Sequence, residues 1–64
     1  MKPFNRNTVK PGDLLCLTLY PWRKLRFKFM GHEGVVVATW VDPAPGMPQD
    51  AILRQKQVRI VEAA

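Results

Sequence analysis

The chain has 64 residues, ten Lys+Arg against five Asp+Glu, and a formal charge of +5. Apolar residues make up 47% and charged residues 23%, the composition of a folded domain rather than a disordered segment. Such a length excludes a large enzyme core; one Cys and one His exclude a disulfide framework and the usual zinc sites; and no apolar run approaches the roughly 20 residues of a membrane span.

Residues 1–8 are mostly polar, with one phenylalanine, Phe4, and read as an N-terminal arm or a short edge element. Pro11-Gly12-Asp13 is a turn: Pro fixes φ, Gly permits positive φ, and Asp bonds local backbone. Residues 14–20 are β-formers bounded by Gly12 and Pro21, too short a stretch for a helix. Pro21-Trp22-Arg23-Lys24 turns the chain. Residues 25–30 then alternate, with Leu25, Phe27 and Phe29 on one side and Arg26, Lys28 and Met30 on the other. That period of two is a half-buried strand with a basic outer face.

Gly31-His32-Glu33-Gly34 is the next turn, and one of its two glycines is expected at positive φ. Residues 34–41 are β-branched nearly throughout and form the strongest strand in the chain. Three prolines within residues 42–49 require a loop, because Pro cannot donate to a ladder. Residues 50–54 read as a short strand, 55–57 as a 3-10 turn, and 58–62 as a last strand with Val58 and Ile60 inward and Arg59 outward. The competing reading of 50–57 is a short helix capped by Asp50. Leu15, Leu17, Leu19, Phe27, Phe29, Val35, Val37, Ile52, Val58 and Ile60 are the expected core. Five short strands without a long helix imply an all-β fold, a small barrel or sandwich. Closing the sheet into a barrel would remove two exposed edges.

Lys10-Pro11-Gly12-Asp13-Leu14-Leu15, then Gly31-His32-Glu33-Gly34-Val35-Val36-Val37, then Gln57-Val58-Arg59-Ile60-Val61-Glu62, resembles the SH3-like barrels. The similarity is greatest to those carrying a KOW-type motif, found in ribosomal proteins and transcription elongation factors. The resemblance implies an N-terminal arm over 1–9, one SH3-like β-barrel over 10–62 and a tail at 63–64. The segment between Asp13 and Gly31 is longer than is usual in that family and carries Trp22 and the basic run. The same barrel also serves as a peptide-binding module and as a small oligomeric enzyme, so fold alone does not assign function.

Residues 1–32 carry a net +6 and residues 33–64 a net −1, an asymmetry that points to a polyanionic partner. Arg23, Lys24, Arg26 and Lys28 lie within six positions, with Tyr20 and Trp22 beside them. On a strand, Lys24, Arg26 and Lys28 repeat every 6.5–7 Å or so on one face, a repeat comparable with the charge spacing of a nucleic-acid strand. Tyr20 and Trp22 offer stacking faces for bases. The expectation is therefore a non-catalytic DNA- or RNA-binding accessory protein without cofactor or metal. The plainer reading has Tyr20 and Trp22 capping the core and the cations as a solubilising face.

The alternative function is a protein-interaction or assembly module, a homo-oligomer or a dock for an acidic protein, with Trp40 and Met47 at the interface. Cys16 sits mid-strand among leucines as a buried thiol. His32 and Glu33 are neighbours in a turn and cannot face one site. Neither arrangement suits acid–base or nucleophilic catalysis. The first seven residues lead into no signal-type apolar stretch, so a cytoplasmic location is the expectation.

Overall fold

The computed structural model describes residues 2–61. The protein is all-β. Its strands are β1 (Lys2–Pro3), β2 (Leu14–Leu17), β3 (Lys24–Met30), β4 (Val36–Trp40), β5 (Asp50–Leu53) and β6 (Val58–Ile60), with 3-10 turns over His32–Gly34 and Gln55–Gln57. They form a single antiparallel sheet in the order β1-β6-β2-β3-β4-β5, with β1 and β5 at its edges. Met1, the tail 63–64 and Glu62 of the expected last strand lie outside the described residues.

The turns follow from local chemistry. Asp13 N–H donates to the Lys10 carbonyl at 3.0 Å, and Lys10 N–H donates to Asp13 Oδ2 at 2.9 Å. With Pro11 second and Gly12 third at φ 92°, this is the type II turn that Pro-Gly favours. Between β3 and β4 it is Gly34 that takes positive φ, at 75°, beside Glu33 at 57°. Gly31 is required for another reason. A Cβ there would lie 2.8 Å from Val35 Cγ2 and 3.2 Å from Val37 Cγ2. Gly31→Ala is therefore expected to cost about 1–3 kcal/mol by overpacking, read as a lower urea midpoint at unchanged slope. The stretch 50–57 is strand followed by 3-10 turn, not helix: Gln57 N–H bonds the Arg54 carbonyl at 2.9 Å, and Gln57 Oε1 accepts Arg54 N–H at 2.8 Å.

The core consists of Leu15, Leu25, Phe27, Val36, Ala38 and Val58, with Phe4, Val9, Leu17, Met30, Trp40, Ala51, Leu53 and Ile60 packed against it. Five residues of the expected core, Leu19, Phe29, Val35, Val37 and Ile52, are not part of it. Leu19 is exposed because the ladder ends at Leu17, whose N–H bonds the Arg23 carbonyl and closes the 18–23 turn. Phe29 is exposed because β3 carries an irregularity: Phe27 faces Ala38, but Phe29 faces Val37. The extra residue, Lys28, is a β-bulge, and it turns Met30 inward in place of Phe29.

The phase of β4 is accordingly the reverse of the expected one. Val36 and Ala38 point inward, with Val35 and Val37 only half-buried. Trp40 shares the inward phase and packs on the core, opposite Leu25. Ile52 faces Val37 and so points outward with it, while Ala51 and Leu53 take the inner side of β5. The arm is integral to the sheet: Lys2 and Pro3 pair with Ile60 and Arg59, and the Phe4 ring lies 6.0 Å from that of Phe27.

Candidate nucleic-acid interface

The 18–23 turn carries the two aromatic residues outward. Tyr20 and Trp22 stand edge to face with centroids 5.5 Å apart, 52% and 69% exposed. Neither belongs to the core, so the capping role is not theirs. Arg23 N–H donates to the Tyr20 carbonyl at 2.9 Å, and the Lys24 ammonium bonds the Pro21 carbonyl, which together hold the turn. The Arg23 guanidinium lies 4.8 Å from the Trp40 ring centroid, a cation–π contact. Its Nη2 also reaches Met47 Sδ at 3.9 Å.

Trp22, Arg23, Lys24, Trp40, Val41, Asp42 and Ala44 thereby line an open groove of about 310 Å³. Members of two groups expected at separate surfaces, Trp22, Arg23 and Lys24 of the aromatic–basic run and Trp40 of the Trp40–Met47 pair, converge here. Trp40 contributes through its half-buried ring rather than as a protruding anchor.

Lys24 and Arg26 lie two residues apart on the outer face of β3, in phase as expected. The Arg26 Nη1 donates to the Gly12 carbonyl at 3.2 Å. Lys28 occupies the bulge and leaves that regular repeat. Its Nζ bonds Asp50 Oδ2 at 3.1 Å, and Asp50 Oδ1 also accepts the Thr39 hydroxyl at 2.9 Å.

Hydrogen bonds from Lys28 and then Thr39, with the Lys28 charge, hold the Asp50 carboxyl below its ordinary value of 3.8. A carboxyl whose folded pKa is depressed contributes stability above its unfolded pKa, and that contribution is lost as pH falls through the folded value. An NMR titration of Asp50 should show a midpoint below 3.8, rising toward it in Lys28→Ala. An unmoved midpoint in that variant would remove Lys28 as the main cause.

One cation of this face is not evident from local sequence. Arg59 pairs with Cys16, and Cys16 with Lys24, so Arg59 and Lys24 share the outer face two strands apart, about 9–10 Å. Its outward position in β6 was the only local signal; proximity to Lys24 arises from pairing across the chain. Lys2 and Arg26 line a second open groove of about 630 Å³ with Gly12, Asp13, Leu14, Ile60 and Val61.

Cys16 is buried, and His32 and Glu33 are exposed in their 3-10 turn. Among the described residues no group of three or more His, Cys, Asp or Glu side chains is placed to hold a metal ion, and no helix is long and apolar enough to cross a membrane. No known protein family, curated protein or solved structure matches this chain.

Proposed function

We propose that this protein is a small, non-catalytic nucleic-acid-binding module of the SH3-like type, gripping a strand mainly through its phosphates. The observation that carries the reading is the joint placement of Lys24, Arg26 and Arg59 on one outer face with the exposed Tyr20–Trp22 pair at its end. Cations two residues apart along a strand suit successive phosphates. Exposed aromatic rings suit unpaired bases, at about 1–3 kcal/mol per stacked base. Phosphate contacts carry no sequence information directly, so discrimination among sequences is expected to be weak.

The SH3-like assignment is supported by the strand order. A meander of β2, β3, β4 and β5 ends in a 3-10 turn, and the last strand returns to pair with the first strand of that meander. Fluorescence anisotropy with single-stranded and duplex DNA and RNA, at about 50 mM salt, tests the function. Measurable binding that weakens with salt upholds it. No binding to any of the four defeats it and gives first place to the protein-interaction reading. That second reading has its own support in an apolar row on the outer face of β3, β4 and β5.

A further inference from the structure

Phe29 pairs with Val37, and Val37 pairs with Ile52. Directly paired residues of antiparallel strands project from the same face, so these three side chains form one continuous outer row. Phe29 is 53% and Ile52 73% exposed. The row ends at β5, whose sole strand partner among the described residues is β4.

The hydrogen-bonding sense of that free edge follows from one bond. Trp40 N–H donates to the Gln49 carbonyl at 2.8 Å. Bonded and non-bonded pairs alternate along an antiparallel ladder, so Gln49, Ala51 and Leu53 turn their backbone groups toward β4. Asp50 and Ile52 turn theirs away, to the open edge. Such an edge is a template for another strand.

We infer that β5 pairs with β5 of a second copy of this chain, antiparallel, about a two-fold axis that passes between the two Ile52 residues. The segment Asp50-Ala51-Ile52-Leu53-Arg54 is charge-complementary to its own reverse about Ile52. In this register Ile52 faces Ile52 of the second copy, and each Asp50 faces the other's Arg54. The outward N–H and C=O of the two Ile52 residues bond one another. Ala51 and Leu53 stay on the inner face, where they already pack. Arg54 joins through its side chain alone, because its N–H is held by Gln57 Oε1 and its carbonyl by Gln57 N–H.

The two apolar rows then become one stripe with Ile52 at its centre. The occupant is a second copy rather than an acidic protein because the edge strand itself carries one anion and one cation, and Asp50, which already holds Lys28 at 3.1 Å within its own chain, still lies opposite Arg54 of the second copy in this register. An isologous contact needs this self-complementarity. The six-stranded sheets join into one, and both basic faces lie on the same side of it.

Sedimentation equilibrium at about 100 µM, a concentration suited to a small interface, tests the inference. The expected mass approaches twice that of the chain. Higher salt should strengthen association, since two copies each carry +5. This is the opposite of its effect on nucleic-acid binding, so the two proposals fail separately.

Ile52→Lys should raise the dissociation constant about a hundredfold, because two buried isoleucines are lost per dimer. Arg54→Asp, which sets like charges opposite each other, should raise it about tenfold. Ile52→Cys should cross-link to its symmetry mate under mild oxidation, because a bonded pair has Cα atoms about 5.5 Å apart, within disulfide range. Met47→Cys, in the loop that leads into β5 but with its side chain turned to Arg23, should not. A monomer at that concentration overturns the inference. So does a dimer that tolerates both Ile52→Lys and Arg54→Asp, or one that cross-links equally through position 47.

Discussion

Phe27→Ala is expected to remove a large share of the protein's stability, about 3–5 kcal/mol. Phe27 is 5% exposed. It faces Ala38 across the β3–β4 ladder and lies under the Phe4 ring. Its partner on the neighbouring strand is therefore small, and the cavity left by truncation has no large side chain opposite to fill it. Removing a buried Phe side chain costs about 3–5 kcal/mol. A chain of this length has a total stability of about 3–10 kcal/mol, so the loss consumes much or all of it.

Phe29→Ala is the internal control. Phe29 stands two residues away in an alternating sequence, yet it is half exposed because the bulge at Lys28 turns it outward. Its replacement should cost less than about 1 kcal/mol. Urea titrations of the two variants, followed by far-UV circular dichroism, check the pair. Equal costs would mean that β3 runs through Lys28 without a bulge and that the core is phased as simple alternation predicts.

What could be read from residues alone was what neighbouring residues decide. Pro11-Gly12-Asp13 specifies its turn through ring, missing Cβ and carboxylate, and Gly34 answers the need for positive φ before β4. Gln55-Lys56-Gln57 reads as a short 3-10 turn, the first of the two readings of that stretch and the one the structure shows. Where the reading failed, the deciding partner lay on another strand. Residues 35–37 are three valines, which carry no alternation from which a phase can be chosen.

Residues 25–30 alternate through the bulge without a break, so nothing local marks Lys28 as the extra residue. Once the bulge is placed, the rest follows: Phe29, Val37 and Ile52 all move outward together, and Met30, Val36 and Leu53 move inward as one row. The candidate site shows the same division. Its aromatic and basic members between 20 and 28 were legible as a cluster, whereas Arg59 joins them only because β6 returns to pair with β2.

The largest functional effect is expected in the salt dependence of nucleic-acid binding. Each phosphate neutralised releases condensed counterion, with a slope of about −0.9 per contact in log affinity against log salt for duplex DNA. Lys24, Arg26 and Arg59, with Lys28 once it leaves Asp50, supply three to four contacts, and so a slope near −3 for one subunit. Between about 50 and 200 mM salt, affinity should then fall roughly sixtyfold. Arg26→Ala with Lys28→Ala should flatten the slope by nearly two units and cut that fall to about fivefold.

Both side chains are exposed, and the bond that Arg26 gives to the Gly12 carbonyl lies at the surface. The thermal midpoint of the double variant should accordingly stay close to that of the parent. Lys28 has a further feature: it must leave Asp50 to meet a phosphate. Asp50→Asn removes that competition and a negative charge, and should tighten binding at low salt. Trp22→Ala should weaken single-strand binding with no change in slope, since stacking releases no counterion. A double variant that binds with the parent's slope would take the phosphate contacts off β3. If Trp22→Ala also left single-strand affinity unchanged, the exposed Tyr20–Trp22 pair would have no part in holding bases.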